Sequence, residues 1–213
     1  MRIRTKLFLL LTLFLLSCNE EPRERQYDES TLPSNPVNLA DMNSEYDDYN
    51  STGSSVGTVF PLCFSSNRNS QGVDFDIVYK LFEIWFSLID GSIRVNEFAL
   101  NNWVYDVNYT INYALAKINT EGNELGPNLI SQGEINGGSS NNKNYNGFIL
   151  IYSTDITGNQ DINFLHNLDS EEFNQPIPVS FLNSAYDDAY PAFNRDYSAL
   201  YFCSNREGDF DIY

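Results

Sequence analysis

Two segments of this chain, 140 positions apart, are near copies of each other. PIPVSFLNSAYDDAYPAF, from Pro176, matches PVNLADMNSEYDDYNST, from Pro36. Each is followed by a second shared element, LCFSSNRNSQGVDFDIVY from Leu62 and LYFCSNREGDFDIY from Leu200. A third copy of that element, LIYSTDITGNQDIN from Leu150, aligns with the last one without a gap at an offset of 50, setting Asp155 against Asn205, Gly158 against Gly208 and Asp161 against Asp211. Repetition of this kind restricts the fold more than composition does, because a repeated unit buries its apolar face only against the next copy. The 88 residues from Asn67 to Asp155 make two periods of 44, so a divergent copy is expected midway. VYDVNYTINYALAKIN, from Val104, is the segment that fits, without the Ser-Asn-Arg turn.

Each unit reads as two strands around a tight turn. An apolar and aromatic strand (Leu200, Tyr201, Phe202) leads into a polar turn with glycine at residues 205–209, and a second strand opens Asp-Ile-Tyr. Gly208 supplies the positive φ such a turn requires, and the Asn205 amide is suited to cap it. Arg206 and Asp211 fall on opposite arms, within reach of a cross-strand pair or a hydrogen bond into the turn backbone. Asn67, Arg68 and Asp76 in the first copy, Asp155, Gly158 and Asp161 in the third, and Asn205, Arg206, Gly208 and Asp211 in the last therefore read as structural punctuation. A catalytic residue would not need repeating in every unit.

LNSAYDDAYPAFNRDYSALYFCSNREGDFDIY resembles the TolB-type, WD40-like propeller repeat: an aspartate-rich lead-in, a Pro-x-Phe strand, a Leu-Tyr-Phe strand, Ser-Asn-Arg, Gly, and Asp-Ile-Tyr. The resemblance is strong over residues 184–213, good over 43–79 and fair over 147–163, where Thr-Asp-Ile replaces Ser-Asn-Arg; between 80 and 146 it nearly disappears. It implies an all-β chain, a β-propeller of four-stranded antiparallel blades, of the kind found in periplasmic and outer-membrane proteins of Gram-negative bacteria. A spacing of 44 to 50 suits one blade, and residues 37–213 have room for about four, the lower limit for a closed ring. The last unit stops in its second strand, so the expectation is a partial or truncated propeller with an unpaired strand edge. The alternative is a latch in which residues 37–39 pair with 210–213.

The amino terminus carries Arg2, Arg4 and Lys6, then an apolar run from Leu7 to Leu16 broken by Thr12. That is the pattern of a secretory signal peptide, and the run is too short for a transmembrane helix, which needs about 20 residues. Leu15-Leu16-Ser17-Cys18 resembles the lipobox of bacterial lipoproteins, which implies a signal peptide over 1–17 and acylation of Cys18. Each buried CH₂ contributes about 0.8 kcal/mol, so two or three acyl chains tether a soluble domain to a membrane. Residues 18–36, polar and charged with Pro22, Pro33 and Pro36, read as a flexible linker. Asn19-Glu20-Glu21 resembles the acidic export signal of Bacteroidetes-like surface lipoproteins, leaving the periplasmic face and the cell surface both open.

Charge removes one class of partner. Twelve Lys+Arg against 29 Asp+Glu give −17, and loss of residues 1–17 takes this to −20, so nucleic acid is excluded as a partner and adhesion of the folded domain to anionic lipid is disfavoured. Catalytic motifs are scarce. His166 is the single histidine and no Gly-x-Ser-x-Gly occurs, which speaks against a hydrolase triad. Once Cys18 is acylated, Cys63 and Cys203 remain, too few for zinc, and they read as buried free thiols. Asp47-Asp48, Asp187-Asp188, Asp74 with Asp76 and Asp209 with Asp211 are carboxylate pairs that a glycosidase or calcium could use, but they recur with the repeat, so turn capping or blade linking is the favoured reading. LFEIWFSLIDGSIRV, from Leu81, reads as a strand and hairpin. Trp85 and Trp103 read as blade core in preference to sugar-stacking platforms, and SQGEINGGSSNNKNYNG, from Ser131, as a loop.

The expectation is thus a non-enzymatic lipoprotein of the outer membrane, with no cofactor and no metal, whose propeller binds an envelope protein or polysaccharide. A propeller-fold glycan hydrolase or lyase is the rival, and a fragment of a larger propeller protein the third reading.

Overall fold

The computed structural model describes residues 38–40, 42–53, 59–97, 102–131 and 147–213. The signal peptide, Cys18, the linker, Val37 and most of the Ser131 loop lie outside them. The described chain divides into a main unit, Asn35–Trp85 with Val95–Tyr213, and a second whose described part is Phe86–Arg94. That second part is the turn of a hairpin: the Gly91 N–H donates to Ser87 O at 2.8 Å, and Gly91 takes a φ of 69°. The strand and hairpin expected from Leu81 onward are therefore present.

Eleven strands among the described residues form three antiparallel sheets. The first has the order β1 (Asp48–Gly53), β2 (Val59–Ser66), β3 (Asp76–Phe86), β4 (Ile93–Glu97). The second runs β5 (Glu124–Ser131), β6 (Phe148–Thr154), β7 (Asp161–His166), β8 (Ile177–Pro178). The third comprises β9 (Asp188–Phe193), β10 (Leu200–Ser204) and β11 (Asp211–Ile212). Each is a simple meander, and none closes into a barrel. Three sheets stand where about four blades were expected.

The reason lies between the first two sheets. Residues from Val104, expected to form a divergent strand-turn-strand copy, belong to helix α1 (Asn102–Ile118). Ile111, Ala114, Leu115 and Ile118 fall at i, i+3, i+4 and i+7, so all four share one helical face, and all are buried. Each buried aliphatic side chain contributes about 1.5–3 kcal/mol, more than the modest helix propensity of the Asn, Tyr and Thr around them opposes. Among the described residues the fold is mostly β, with this helix inserted.

Two cores result. Cys63, Ile77, Tyr79, the helix face, Leu129, Leu150, Tyr152 and Leu165 pack together between the first and second sheets. Ile151, Ile162, Val179 and Phe202 form the other, between the second and third. Successive residues of β6 thus point into different cores, which is why its sequence FILIY is apolar without alternation.

The three sheets also share a bulge. Pairing shifts between Tyr49 and Thr52, between Leu125 and Asn128, and in the β10 pairing between Tyr201 and Cys203. The third residue of each opening strand, Asn50, Gly126 or Tyr190, has a φ of 56°. The sheets are therefore structural repeats, opening at Asp48, Glu124 and Asp188, 76 and 64 residues apart. Inserted helix and loop lengths hide any constant period.

Candidate functional site

The residues singled out by repetition converge where the start of each sheet's opening strand meets the turn between its second and third strands. In the first sheet Arg68 lies against Phe64 and donates from Nε to Ser66 Oγ at 2.9 Å. Its Nη2 donates to Met42 O at 2.7 Å and to Asp48 Oδ1 at 2.6 Å. Asp48 Oδ2 accepts from the Ser44 N–H and hydroxyl at 2.7 and 2.9 Å. Asn67 accepts at Oδ1 from the Asp47 N–H at 3.0 Å, while its own N–H donates to Asp47 O. Asp76 accepts from Asn69 Nδ2 at 2.8 Å, tying the turn to β3.

The third sheet repeats this set. Arg206 donates from Nε to Ser204 Oγ at 3.0 Å, and from Nη2 to Leu182 O at 2.7 Å and Asp188 Oδ1 at 2.5 Å. Its guanidinium lies over Phe202 and Tyr213. Asn205 accepts from the Asp187 N–H at 2.9 Å and donates to Asp187 Oδ2 at 2.9 Å. Gly208, at φ 121°, closes the turn by donating to Asn205 O at 2.9 Å.

Three expectations are corrected here. Arg206 pairs with Asp188 on β9, not with Asp211, because Ser204 Oγ holds Nε and turns the guanidinium toward β9; Asp211 lies exposed on β11. The Asn205 amide joins its turn to the opening of the same sheet instead of capping the turn itself. Trp85 is also not core: it is 49% exposed. It lies on β3 beyond Tyr79, where the alternation of buried residues ends. The side chain of Trp103 lies outside the described residues.

Burial raises the carboxyl pKa of Asp48, but the hydrogen bonds from Arg68, Ser66 and Ser44 outweigh it and hold the group at about 2. Asp188, fully buried, is lowered likewise: desolvation opposes, and Ser204, Arg206 and Ser184 prevail.

The second sheet solves the same problem without a cation. Ile156 stands in the arginine position and Glu124 in the aspartate position. Glu124 is fully buried, accepting from the Thr120 N–H at 3.1 Å, the Thr120 hydroxyl at 2.6 Å and the Thr154 hydroxyl at 2.9 Å. Desolvation dominates there and raises its pKa, with the nearby Asp76 charge adding to the rise. Asp155 accepts from the Asn123 N–H and from Asn123 Nδ2, both at 2.7 Å. Gly158, at φ 117°, donates to Asp155 O at 2.8 Å, and Asp161 accepts from the Thr157 hydroxyl at 3.0 Å.

Sequence reading missed the asparagines five residues before the first residue of each opening strand. Asn119 brackets Ile77 of the sheet before it, accepting from its N–H and donating to its C=O, both at 3.0 Å. Asn183 brackets Ile162 in the same way at 2.8 and 3.0 Å. The signal was available as NSEYDD, NTEGNE and NSAYDD, from Asn43, Asn119 and Asn183.

Elsewhere, His166 is engaged locally, its Nδ1 accepting from the Leu168 N–H at 3.3 Å and its ring stacked on Phe164. Cys63 and Cys203 are free; burial pushes the Cys63 thiol up to about 12. Among the described residues no group of three or more His, Cys, Asp or Glu side chains is placed to hold a metal ion, and no helix is long and apolar enough to cross a membrane. A pocket of about 260 Å³ is lined by Lys117, Tyr152, Thr154, Asp161 and Pro178, among others. Small-molecule sites are commonly about 300–1,000 Å³. No protein-family model matches the chain, and no curated protein matches it.

Proposed function

We propose that the chain is a lipid-anchored bacterial envelope protein, acylated at Cys18 and held at the outer membrane, whose repeated sheets are propeller-type blades serving as a binding or scaffold module for an envelope protein or polysaccharide. The observation that carries the binding reading is where the repeated polar residues go. Arg68, Asp48, Asn67, Arg206, Asp188, Asn205 and Asp155 all bond within the molecule, joining opening strands to turns. Residues engaged in this way serve architecture, leaving recognition to the exposed loops, where binding residues concentrate on a rigid scaffold. The lipobox carries the anchor: in a tethered domain the acyl chains supply the membrane affinity, which a surface of net charge −20 would not.

Metabolic labelling with a palmitate analogue, followed by membrane fractionation, tests the anchor. The native chain takes up label and sediments with the outer membrane, whereas Cys18→Ala does neither; label retained by the variant overturns the reading. Binding is tested by incubating the chain with envelope polysaccharides. Retention without product release is expected, and product release abolished by a single carboxylate substitution would replace the binding module with a glycan-cleaving enzyme.

A further inference from the structure

The joint between consecutive sheets is built twice, and among the described residues a half of the same joint stands open at each side of the set. Between the first and second sheets, Asn119 brackets Ile77, Asn123 Oδ1 accepts from the Phe75 N–H at 3.1 Å, and the Glu124 N–H donates to Phe75 O at 2.7 Å. Between the second and third, Asn183 brackets Ile162, Asp187 Oδ1 accepts from the Gln160 N–H at 3.0 Å, and the Asp188 N–H donates to Gln160 O at 2.7 Å. The donating half is thus an Asn, and four residues later an Asn or Asp, on the opening segment. The receiving half is the backbone of two alternate residues, one just before the third strand and one at its second position.

Asn43, Asp47 and Asp48 repeat the donating half in the first sheet, and Phe210 and Ile212 repeat the receiving half in the third. Their exposure separates them from the filled copies. Ile77 and Ile162 are 1% and 0% exposed, while Ile212 is 76% exposed and Phe210 55%. Asn43 and Asp47 are exposed, where Asn119, Asn123, Asn183 and Asp187 are half-buried. The register is also the same: Ile77 faces Ser65, Ile162 faces Ser153 and Ile212 faces Cys203. Tyr213 exchanges both its backbone bonds with Phe202, so by antiparallel alternation the N–H and C=O of Ile212 point away from β10, as those of Ile77 point to Asn119. Asn43 donates to Asn38 Oδ1 across an exposed contact, which docking would exchange for Ile212.

We propose that the chain associates head to tail with a second copy of itself, residues 210–212 of one copy seated in the Asn43 and Asp47 clasp of the next. The occupant is a second copy because both halves are complementary in a way this molecule already shows twice, down to the isoleucine. The contact is heterologous, so it propagates until the assembly closes into a ring. Because each copy is strongly acidic, added salt strengthens the association. The inference does not depend on the lipid anchor or on any ligand.

Sedimentation of the full-length chain in density-matched detergent tests it. The mass of the native chain rises above that of a monomer with concentration, more so at higher salt. Asn43→Ala with Asp47→Ala removes the clasp, and Ile212→Asp removes the seat; all three residues are exposed, so folding is unaffected, as circular dichroism will confirm. Each variant alone associates about a hundred-fold more weakly, the size expected when two or three hydrogen bonds are lost. Mixed together, they form one-to-one pairs, since each retains the half that the other lacks. A native chain that stays monomeric at every concentration, because a different protein or its own opening segment fills the seat, overturns the proposal. So do variants that associate like the native chain, or a mixture that remains monomeric.

Discussion

Glu124 is the one member of its set that carries a buried carboxyl with no cation. Asp48 and Asp188 are held by Arg68 and Arg206, while the equivalent of those arginines beside Glu124 is Ile156. The two solutions have opposite pH signatures. Asp48, lowered to about 2, contributes stability that is fully present above its ordinary value of 3.8 and is lost only as pH falls toward 2. Glu124, raised above 4.5, acts the other way: between 4.5 and its folded value the unfolded chain releases a proton that the folded chain keeps, so stability drops as pH rises through that window. Glu124→Gln keeps the shape and removes the ionisation, and the Thr120 and Thr154 hydroxyls can accept from the new amide as readily as they donate to its oxygen. The variant should therefore melt a few degrees above the native chain at pH 8, with the gain vanishing toward pH 4. Paired thermal melts across that range check it; a difference independent of pH contradicts the assignment of the raised carboxyl to this residue.

At the scale of the strand, the shared bulge sets how closely neighbouring sheets approach. Asn50, Gly126 and Tyr190 all adopt a φ of 56°, yet only the middle one is glycine. A Cβ on Gly126 would lie 2.7 Å from Tyr190 Cα and 2.9 Å from its Cδ1, so the second bulge admits no side chain against the third. Asn50→Ala should cost about 1 kcal/mol from its left-handed backbone alone, and Gly126→Ala about 2 kcal/mol more because the Tyr190 backbone must move; urea unfolding midpoints of the two variants measure the gap. The strands that carry the shared motifs were legible from the sequence, since Ser-Asn-Arg, glycine and Asp-Ile-Tyr mark a hairpin by local turn chemistry. The helix was not: NWVYDVNYTINYALAKI is rich in residues of middling helix propensity, and the signal lay only in the spacing of Ile111, Ala114, Leu115 and Ile118. The joint was half legible. The doubled aspartates drew notice, but in NTEGNE the pair is Asn123-Glu124, and an insertion places it off the period of 44. Arg206 went to Asp188 and not Asp211 because a partner five positions away in sequence lost to one across the sheet, which only the folded register reveals.

Over the whole molecule, the three sheets form a row in which each touches the next through one core and one clasp, so stability should be distributed as in a linear array of repeats. The third sheet is the weakest member by this logic, having three strands and a single filled joint, with Ile162, Val179 and Phe202 as its main core contacts. Asn183→Ala removes both side-chain bonds to Ile162; its C=O keeps the Val179 N–H at 2.9 Å, but the buried N–H loses its acceptor. That loss should cost about 1–3 kcal/mol, and in a nearest-neighbour array it falls on the joint. Hydrogen exchange of the variant is then expected to show protection lost over β9, β10 and β11, while β2 and β3, held through Asn119 and the helix face, exchange at native rates. Asn119→Ala places the break one joint earlier and should release β3 from β5 while leaving β9 docked on Ile162. If instead either substitution accelerates exchange equally in all three sheets, the row behaves as one cooperative unit and the joints are not the boundaries of its stability.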